Sequence, residues 1–249
     1  MAPRVVVLSL ASDFGCQVQL SNMTDEILDV LGVIDLGYWQ LASSGQMPAE
    51  YDVAIVEGAV TTDEHVELLK QARAAATVVV AIGACANTGG IPGLANLVDL
   101  DERYDTVYGM CDGPRVAAGK RAPMPIDTVI DVDYHVPGCP IDTAEFLRTL
   151  SHVLLGMKDR VPDQTMCASC KINETICFFD RGQVCLGLVT RAGCGARCPS
   201  LNRPCTGCRG VAPDANLDSA RSIIVAAGGR ADALEVGLRM YNTAKEVRG

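Results

Sequence analysis

The sequence lacks an excess of positive charge. Lys and Arg number 21 against 30 Asp and Glu, a formal charge of −9, so a broad electrostatic attraction to nucleic acid or anionic lipid is disfavoured. It also lacks long apolar runs: none approaches the roughly 18 consecutive residues that a membrane helix needs. Met1-Ala2-Pro3-Arg4 passes straight into a strand-like run, and no signal peptide, twin-arginine leader or membrane anchor is read. Histidine is scarce, with three in the chain. His65, His135 and His152 fall on expected helix or strand positions without ligand companions and are expected to be structural or exposed.

Cysteine, by contrast, is abundant. The 249 residues, 49% hydrophobic, suffice for a real core and hold twelve cysteines. Cys16, Cys85, Cys111 and Cys139 are scattered over the first 166 residues, whereas the other eight lie between Cys167 and Cys208. A disulfide framework needs an oxidising compartment and usually a small secreted domain. Neither is indicated. Dense cysteine in a cytosolic chain points to metal, because thiolates are soft ligands suited to zinc, copper(I) or iron–sulfur clusters.

The first 160 residues alternate β-branched runs with amphipathic stretches, which predicts an α/β domain with a parallel sheet and crossover helices. Strands are expected at Arg4–Ser9, Val33–Leu41, Asp52–Val56, Thr77–Ile82 and Ile126–Val136. Helices are expected over Val18–Leu31, from Thr62 or Asp63 to Ala75, and over Asp142–Leu155, with a loop-rich stretch at 91–125. Asp13 and Cys16, Glu57, Cys85 and Cys139 each follow such a strand. Loops at the carboxyl ends of parallel strands gather along one edge, where open sheets bind ligands, so cysteines far apart in sequence can meet. Cys111 lacks a strand end and companions and is expected to be structural.

From about residue 160 the pattern changes. Residues 157–214 carry many Gly, Pro and Cys without sustained periodicity, and would form a poor core without crosslinks; bound metal can supply them. Helices are expected again at 215–226 and 231–246. This predicts a domain over 1–160 and an irregular cysteine-rich domain over 161–249. Within the second, Cys167-x2-Cys170-x6-Cys177-x7-Cys185 precedes Cys194-x3-Cys198-x6-Cys205-x2-Cys208. Eight ligands divide into two fours, and two tetrahedral zinc sites would satisfy the same count. Each quartet has only one C-x2-C knuckle, however, and Cys198-Pro199 is like the Cys-Pro that ends ferredoxin cluster motifs. The N-terminal set has three suitable cysteines, and Asp13 stands three residues before Cys16, either as a fourth ligand or as a cap of the following helix.

These residues resemble the small subunit of nickel–iron hydrogenases. Val56-Glu57-Gly58-Ala59-Val60, Ile82-Gly83-Ala84-Cys85-Ala86 with Gly89-Gly90-Ile91-Pro92, and Val136-Pro137-Gly138-Cys139-Pro140 look like that family's proximal-cluster loops on a flavodoxin-like domain. Cys185-Leu186-Gly187 through Cys194, and Pro204-Cys205-Thr206-Gly207-Cys208, look like its distal and medial segments. The resemblance implies iron–sulfur rather than zinc. It implies a proximal [4Fe-4S] cluster on Cys16, Cys85 and Cys139, with the family's first cysteine replaced by Asp13. It implies a distal cluster on Cys167, Cys170, Cys177 and Cys185, and a medial one on Cys194, Cys198, Cys205 and Cys208. Cys167 at the family's usual His position, and Cys198 as a fourth medial thiolate, favour two further [4Fe-4S] cubanes. The match is to cytoplasmic, cofactor-coupled enzymes, especially the NADP-linked bidirectional or sulfhydrogenase delta type, with methanogen coenzyme-coupled enzymes as near relatives. The implied partners are a [NiFe] large subunit holding the hydrogen site and flavin/iron–sulfur diaphorase subunits. No general acid or base is expected in this chain, although Glu57 is placed to join a proton route, contact the large subunit or accept loop N–H groups.

Overall fold

The computed structural model describes residues 2–23, 25–109, 119–158 and 161–243. Runs rich in Val, Ile and Ala form its central strands. In chain order the strands are β1 (Arg4–Ser9), β2 (Asp35–Trp39), β3 (Tyr51–Glu57), β4 (Val60–Thr62), β5 (Ala76–Ile82), β6 (Lys120–Met124) and β7 (Tyr134–Val136). Five of them make one sheet in the order β2-β1-β3-β5-β7, and β4 and β6 form a separate antiparallel ribbon. Every pairing in the larger sheet is parallel. Leaving the ribbon aside, this is the 2-1-3-4-5 order of flavodoxin-like folds.

Successive side chains of a strand point to opposite faces, and here both faces are buried. Val5, Val7, Val53, Ile55, Val80, Ile82 and Val136 pack on one face. They meet α1 (Gly15–Ser21), α2 (Ile27–Val33) and α6 (Thr143–Leu154) through Leu20, Val30 and Phe146, Leu150 and Val153 respectively. Val6, Leu8, Ala54, Val56, Val79 and Ala81 pack on the other, against α3 (Asp63–Ala75) and α4 (Gly83–Thr88). Helices on both faces let the central strands run as nearly continuous apolar segments.

Three expected elements differ. The single helix over Val18–Leu31 is two, α1 and α2. Ser21 and Asn22, whose side chains compete for backbone hydrogen bonds, end the first, yet Leu20, Met23, Ile27 and Val30 all reach the same core, which sustains one apolar rhythm across the break. The long strand over Ile126–Val136 is a 3₁₀ turn at Ile126–Thr128 followed by the short β7. Asp133 accounts for part of this: its Oδ2 accepts the Val79 N–H at 2.8 Å and pairs with Arg73 at 2.6 Å, replacing a ladder bond by a side chain. The loop-rich stretch contains a helix, α5 (Leu100–Tyr108), capped by Asp99, whose carboxylate accepts the N–H of Glu102 at 2.9 Å. Cys111 lies outside the described residues.

Beyond α6 regular structure is sparse until the end. α7 (Met166–Ile172) and α8 (Arg197–Ser200) are short, and α9 (Leu217–Ala226) and α10 (Ala233–Asn242) follow. Two small cores serve this part. Leu186, Val189, Leu217, Ala220, Ile224, Leu234 and Leu238 form one. Met166, Phe178, Cys185, Ala196 and Cys205 form the other, so cysteines are part of the packing itself. Among the described residues no helix is long and apolar enough to cross a membrane.

Candidate metal centres

All eleven cysteines among the described residues are free thiols. Three of them belong to the sheet's carboxyl edge. Cys16 lies in the first turn of α1, just past β1; Cys85 lies in α4, directly after β5; Cys139 follows β7. The strands bring together what the sequence separates. The Cys16 thiol is pushed up by burial, by Glu57, and by the neighbouring Cys85 and Cys139, against an N–H from Ile141 that favours its thiolate. Cys85 is raised to about 11, first by burial and then by Cys139, Glu57 and Asp13. Cys139 is raised by burial and by Asp13, while the Tyr241 hydroxyl bonds to it.

Asp13 therefore stands at this group. It is exposed, and its Oδ1 accepts the Gly15 N–H at 2.9 Å. A local turn engages one carboxylate oxygen, the N-cap of α1 is Phe14 with no side-chain cap bond, and Asp13 sits beside Cys85 and Cys139. Glu57 ends β3 and is 1% exposed; its Oε1 accepts the Cys16 N–H at 2.9 Å. Burial holds its carboxyl above the usual range, opposed by N–H groups of Cys16 and Gln17. Of the roles open to Glu57, bonding loop N–H groups is the one visible.

The eight C-terminal cysteines interact both within the two sequential fours and across them, Cys170 with Cys194 and Cys205 with Cys185. Cys185 and Cys177 act on Cys167, and all three act on Cys170, which is raised to about 11 chiefly by burial. Cys194 acts on Cys198 and on Cys208, and Cys208 on Cys205. Burial pushes Cys205 up to about 12, against an N–H from Gly207 and the Thr190 hydroxyl. The groups adjoin in a definite order. Cys139 donates its backbone N–H to the Cys208 thiol, joining the sheet-edge group to the Cys194 quartet. The Cys205 N–H donates to Cys185 Sγ at 3.2 Å, Cys185 also faces Cys198, and Cys170 faces Cys194, joining the two quartets.

The donor chemistry fits iron–sulfur clusters. Thiolates are soft ligands, and in a cubane each takes a different iron. Backbone N–H groups aimed at sulfur, as at Cys16, Cys85, Cys205 and Cys208, are the outer-shell contacts that tune such clusters. Space matters as much. Gly83 has φ +82° and a Cβ there would lie 2.5 Å from Cys16 Sγ, and a Cβ on Gly90 would lie 2.8 Å from Cys85 Sγ. Glycine keeps both sulfurs clear of the backbone.

Several contributors escaped sequence reading. Tyr241 arrives from α10, and Thr88 Oγ1 ties that helix down by donating to the Tyr241 carbonyl at 2.6 Å. Arg209, beside Cys208, is 3% exposed and pairs with Glu145 on α6. Only its place next to a cysteine hinted at a role. Two of the histidines make bonds within the fold: His65 Nδ1 accepts the Thr61 N–H at 3.2 Å, and His135 Nδ1 bonds Asn87 at 2.7 Å.

Residues 14–153 match the model of the NADH ubiquinone oxidoreductase 20 kDa subunit family. Sulfhydrogenase 2 subunit delta of Pyrococcus furiosus is 34% identical, over 85% of this chain and 87% of that protein. A vhu subunit of the F420-non-reducing hydrogenase of Methanocaldococcus jannaschii is 33% identical, over 92% of this chain and 89% of its own length. Among solved structures, an NAD+-reducing [NiFe]-hydrogenase in its H2-reduced state aligns with a TM-score of 0.55 and 28% identity, over 65% of this chain and 96% of that chain. The Ni-Fe-Se hydrogenase of Desulfomicrobium baculatum shares the fold, with a TM-score of 0.56 over 88% of this chain and 98% of that chain at 19% identity.

Proposed function

Because the chain belongs to the 20 kDa NADH ubiquinone oxidoreductase subunit family and, within it, is a hydrogenase small subunit, we propose that it conducts electrons through three [4Fe-4S] clusters. Asp13, Cys16, Cys85 and Cys139 would hold the proximal cluster, Cys194, Cys198, Cys205 and Cys208 the medial, and Cys167, Cys170, Cys177 and Cys185 the distal. The observation that carries this reading is the succession of neighbouring sulfurs, with the Cys139 N–H directed at the Cys208 thiol and Cys185 accepting the Cys205 N–H and facing Cys198. A cluster of this kind supplies reversible one-electron storage at a potential set by its surroundings. The chain's own residues position the sulfurs, donate N–H groups to them and exclude water around Cys16, Cys185 and Cys205, each at most 9% exposed.

Hydrogen is split on the partner large subunit in this reading, and electrons leave by the distal end to flavin/iron–sulfur diaphorase subunits in the cytoplasm. The likeness to an NAD+-reducing [NiFe]-hydrogenase supports that branch. The F420-non-reducing hydrogenase relatives favour a second, in which the same relay serves an acceptor other than a diaphorase. A boundary near residue 160 accords with cores that end at Leu154 on one side and begin at Met166 on the other. The test is iron, acid-labile sulfide and zinc content, with a visible spectrum, on the complex purified without oxygen. About twelve irons assignable to this chain are expected. About eight would leave the Asp13 site without its cluster, and about two zincs without colour would overturn the reading.

A further inference from the structure

Arg209 has a coordination sphere unlike any other arginine among the described residues. Its guanidinium grips Glu145 with both arms, Nη1 to Oε2 at 2.6 Å and Nη2 to Oε1 at 2.7 Å. Nη1 also donates to the Pro137 carbonyl at 2.7 Å, and Nε to the Ala192 carbonyl at 3.0 Å. Both partners are sealed from water, with side chains 1% and 3% exposed. Arg148, at 3.8 Å, is the other cation near Glu145.

Both carbonyl contacts of this guanidinium, and Arg209 itself, lie beside a thiol. Arg209 follows Cys208, Pro137 precedes Cys139 by two residues, and Ala192 precedes Cys194 by two. Three loops that carry sulfurs of two different groups are thus fastened to one planar fork, and the fork is anchored to α6 of the sheet domain. The fit leaves no slack. Gly193 has φ +131°, and a Cβ there would collide with Arg209 Nη2 and come within 2.8 Å of Glu145 Oε1. At the same junction the Cys139 N–H meets the Cys208 thiol.

We propose that Arg209, locked onto Glu145, is the positioning residue that sets the spacing of the sheet-edge group and the Cys194 quartet for electron transfer between them. The inference rests on the electron-relay reading above. The transfer carries one electron and no atom, so its demand on the protein is distance and orientation. A bidentate pair fixes both as a lysine's single charge on a flexible stem does not. Removing one member of a buried pair leaves an unpaired charge that strongly destabilises, whereas replacing both by apolar residues of similar volume is often neutral. The double variant Arg209→Met/Glu145→Met therefore separates positioning from folding.

The experiment uses the complex with its large subunit, purified without oxygen, as wild type, Arg209→Lys and the double variant. Iron and sulfide content report assembly; H2/D2O isotope exchange reports the partner's hydrogen chemistry, which does not need the relay. H2-driven methyl viologen reduction reports the relay, and the EPR broadening between neighbouring reduced clusters reports their geometry. The expected result is full iron and unchanged exchange in both variants, with viologen reduction several-fold lower, altered broadening, and Arg209→Lys intermediate. Wild-type viologen rate and broadening in the double variant would overturn the proposal while leaving the relay reading standing. Loss of iron from both variants would also overturn it, making the pair a folding brace. A wild-type complex without iron–sulfur signals would instead sink the relay reading itself.

Discussion

Tyr241 donates its hydroxyl to the Cys139 thiol from a helix more than a hundred residues downstream. A hydrogen bond to a ligating sulfur stabilises the more negative, reduced state and raises a cluster's potential. Tyr241→Phe removes this donor, together with the hydroxyl's bond with Thr206, and should lower the potential of the sheet-edge cluster. A bond worth about 1 kcal/mol corresponds to about 40 mV for one electron, so a shift of tens of millivolts is expected in an EPR-monitored redox titration of the complex. An unchanged potential would remove Tyr241 from the cluster's surroundings. At this scale the sequence disclosed the sulfurs and hid their company. Cysteine types and spacings mark themselves, and strand ends place Cys16, Cys85 and Cys139 on one edge. The Tyr241 hydroxyl, the Ile141 and Ile91 N–H groups and the Arg209–Glu145 pair are set by tertiary contacts, the last across 64 positions, which no local pattern encodes.

Among the elements, α6 shows how local rules and long-range contacts share residues. Asp142 caps it, Oδ1 accepting the Glu145 N–H at 3.0 Å, and the sequence Asp142-Thr143-Ala144-Glu145 signals that start. Yet Glu145 does not turn back to the cap; its carboxylate faces Arg209. The cap thus fixes the turn that presents Glu145 to the cluster loops. Asp142→Ala should lower stability by about 1 kcal/mol, with Asp142→Ser restoring most of it, checked by denaturant unfolding followed by circular dichroism. Equal losses in both variants would show that the cap bond is not the cause. Elements with strong periodicity and a capping residue, such as α3 with Thr62 accepting the His65 N–H, were legible to within a residue or two. The split between α1 and α2 was not, because both pieces feed one core. The truncation of Ile126–Val136 was also hidden, since apolar residues in a buried turn read like a strand.

Across the whole molecule, stability is unevenly supplied. The sheet buries Val, Ile and Ala on both faces from β1 to β7, an assembly that stands without metal. The segment 166–208 has two short helices and 3₁₀ turns, and one of its cores consists largely of sulfur-bearing residues and Phe178. Burial favours the neutral form of its thiols, with Cys170 and Cys208 raised to about 11; taking up iron expels those protons and joins chain segments that have few other contacts. Metal-binding free energy is then folding free energy for this part alone. Stripping iron from the complex with an oxidant and a chelator should leave amides of β1, β3 and β5 protected from hydrogen exchange. Those of 166–208 should exchange orders of magnitude faster, with α9 and α10 between, since Leu217, Ile224 and Leu238 retain their own small core. Mass-spectrometric exchange before and after stripping resolves the regions. Uniform loss of protection would mean that the clusters hold the sheet as well, and no change in 166–208 would mean that its loops close without iron.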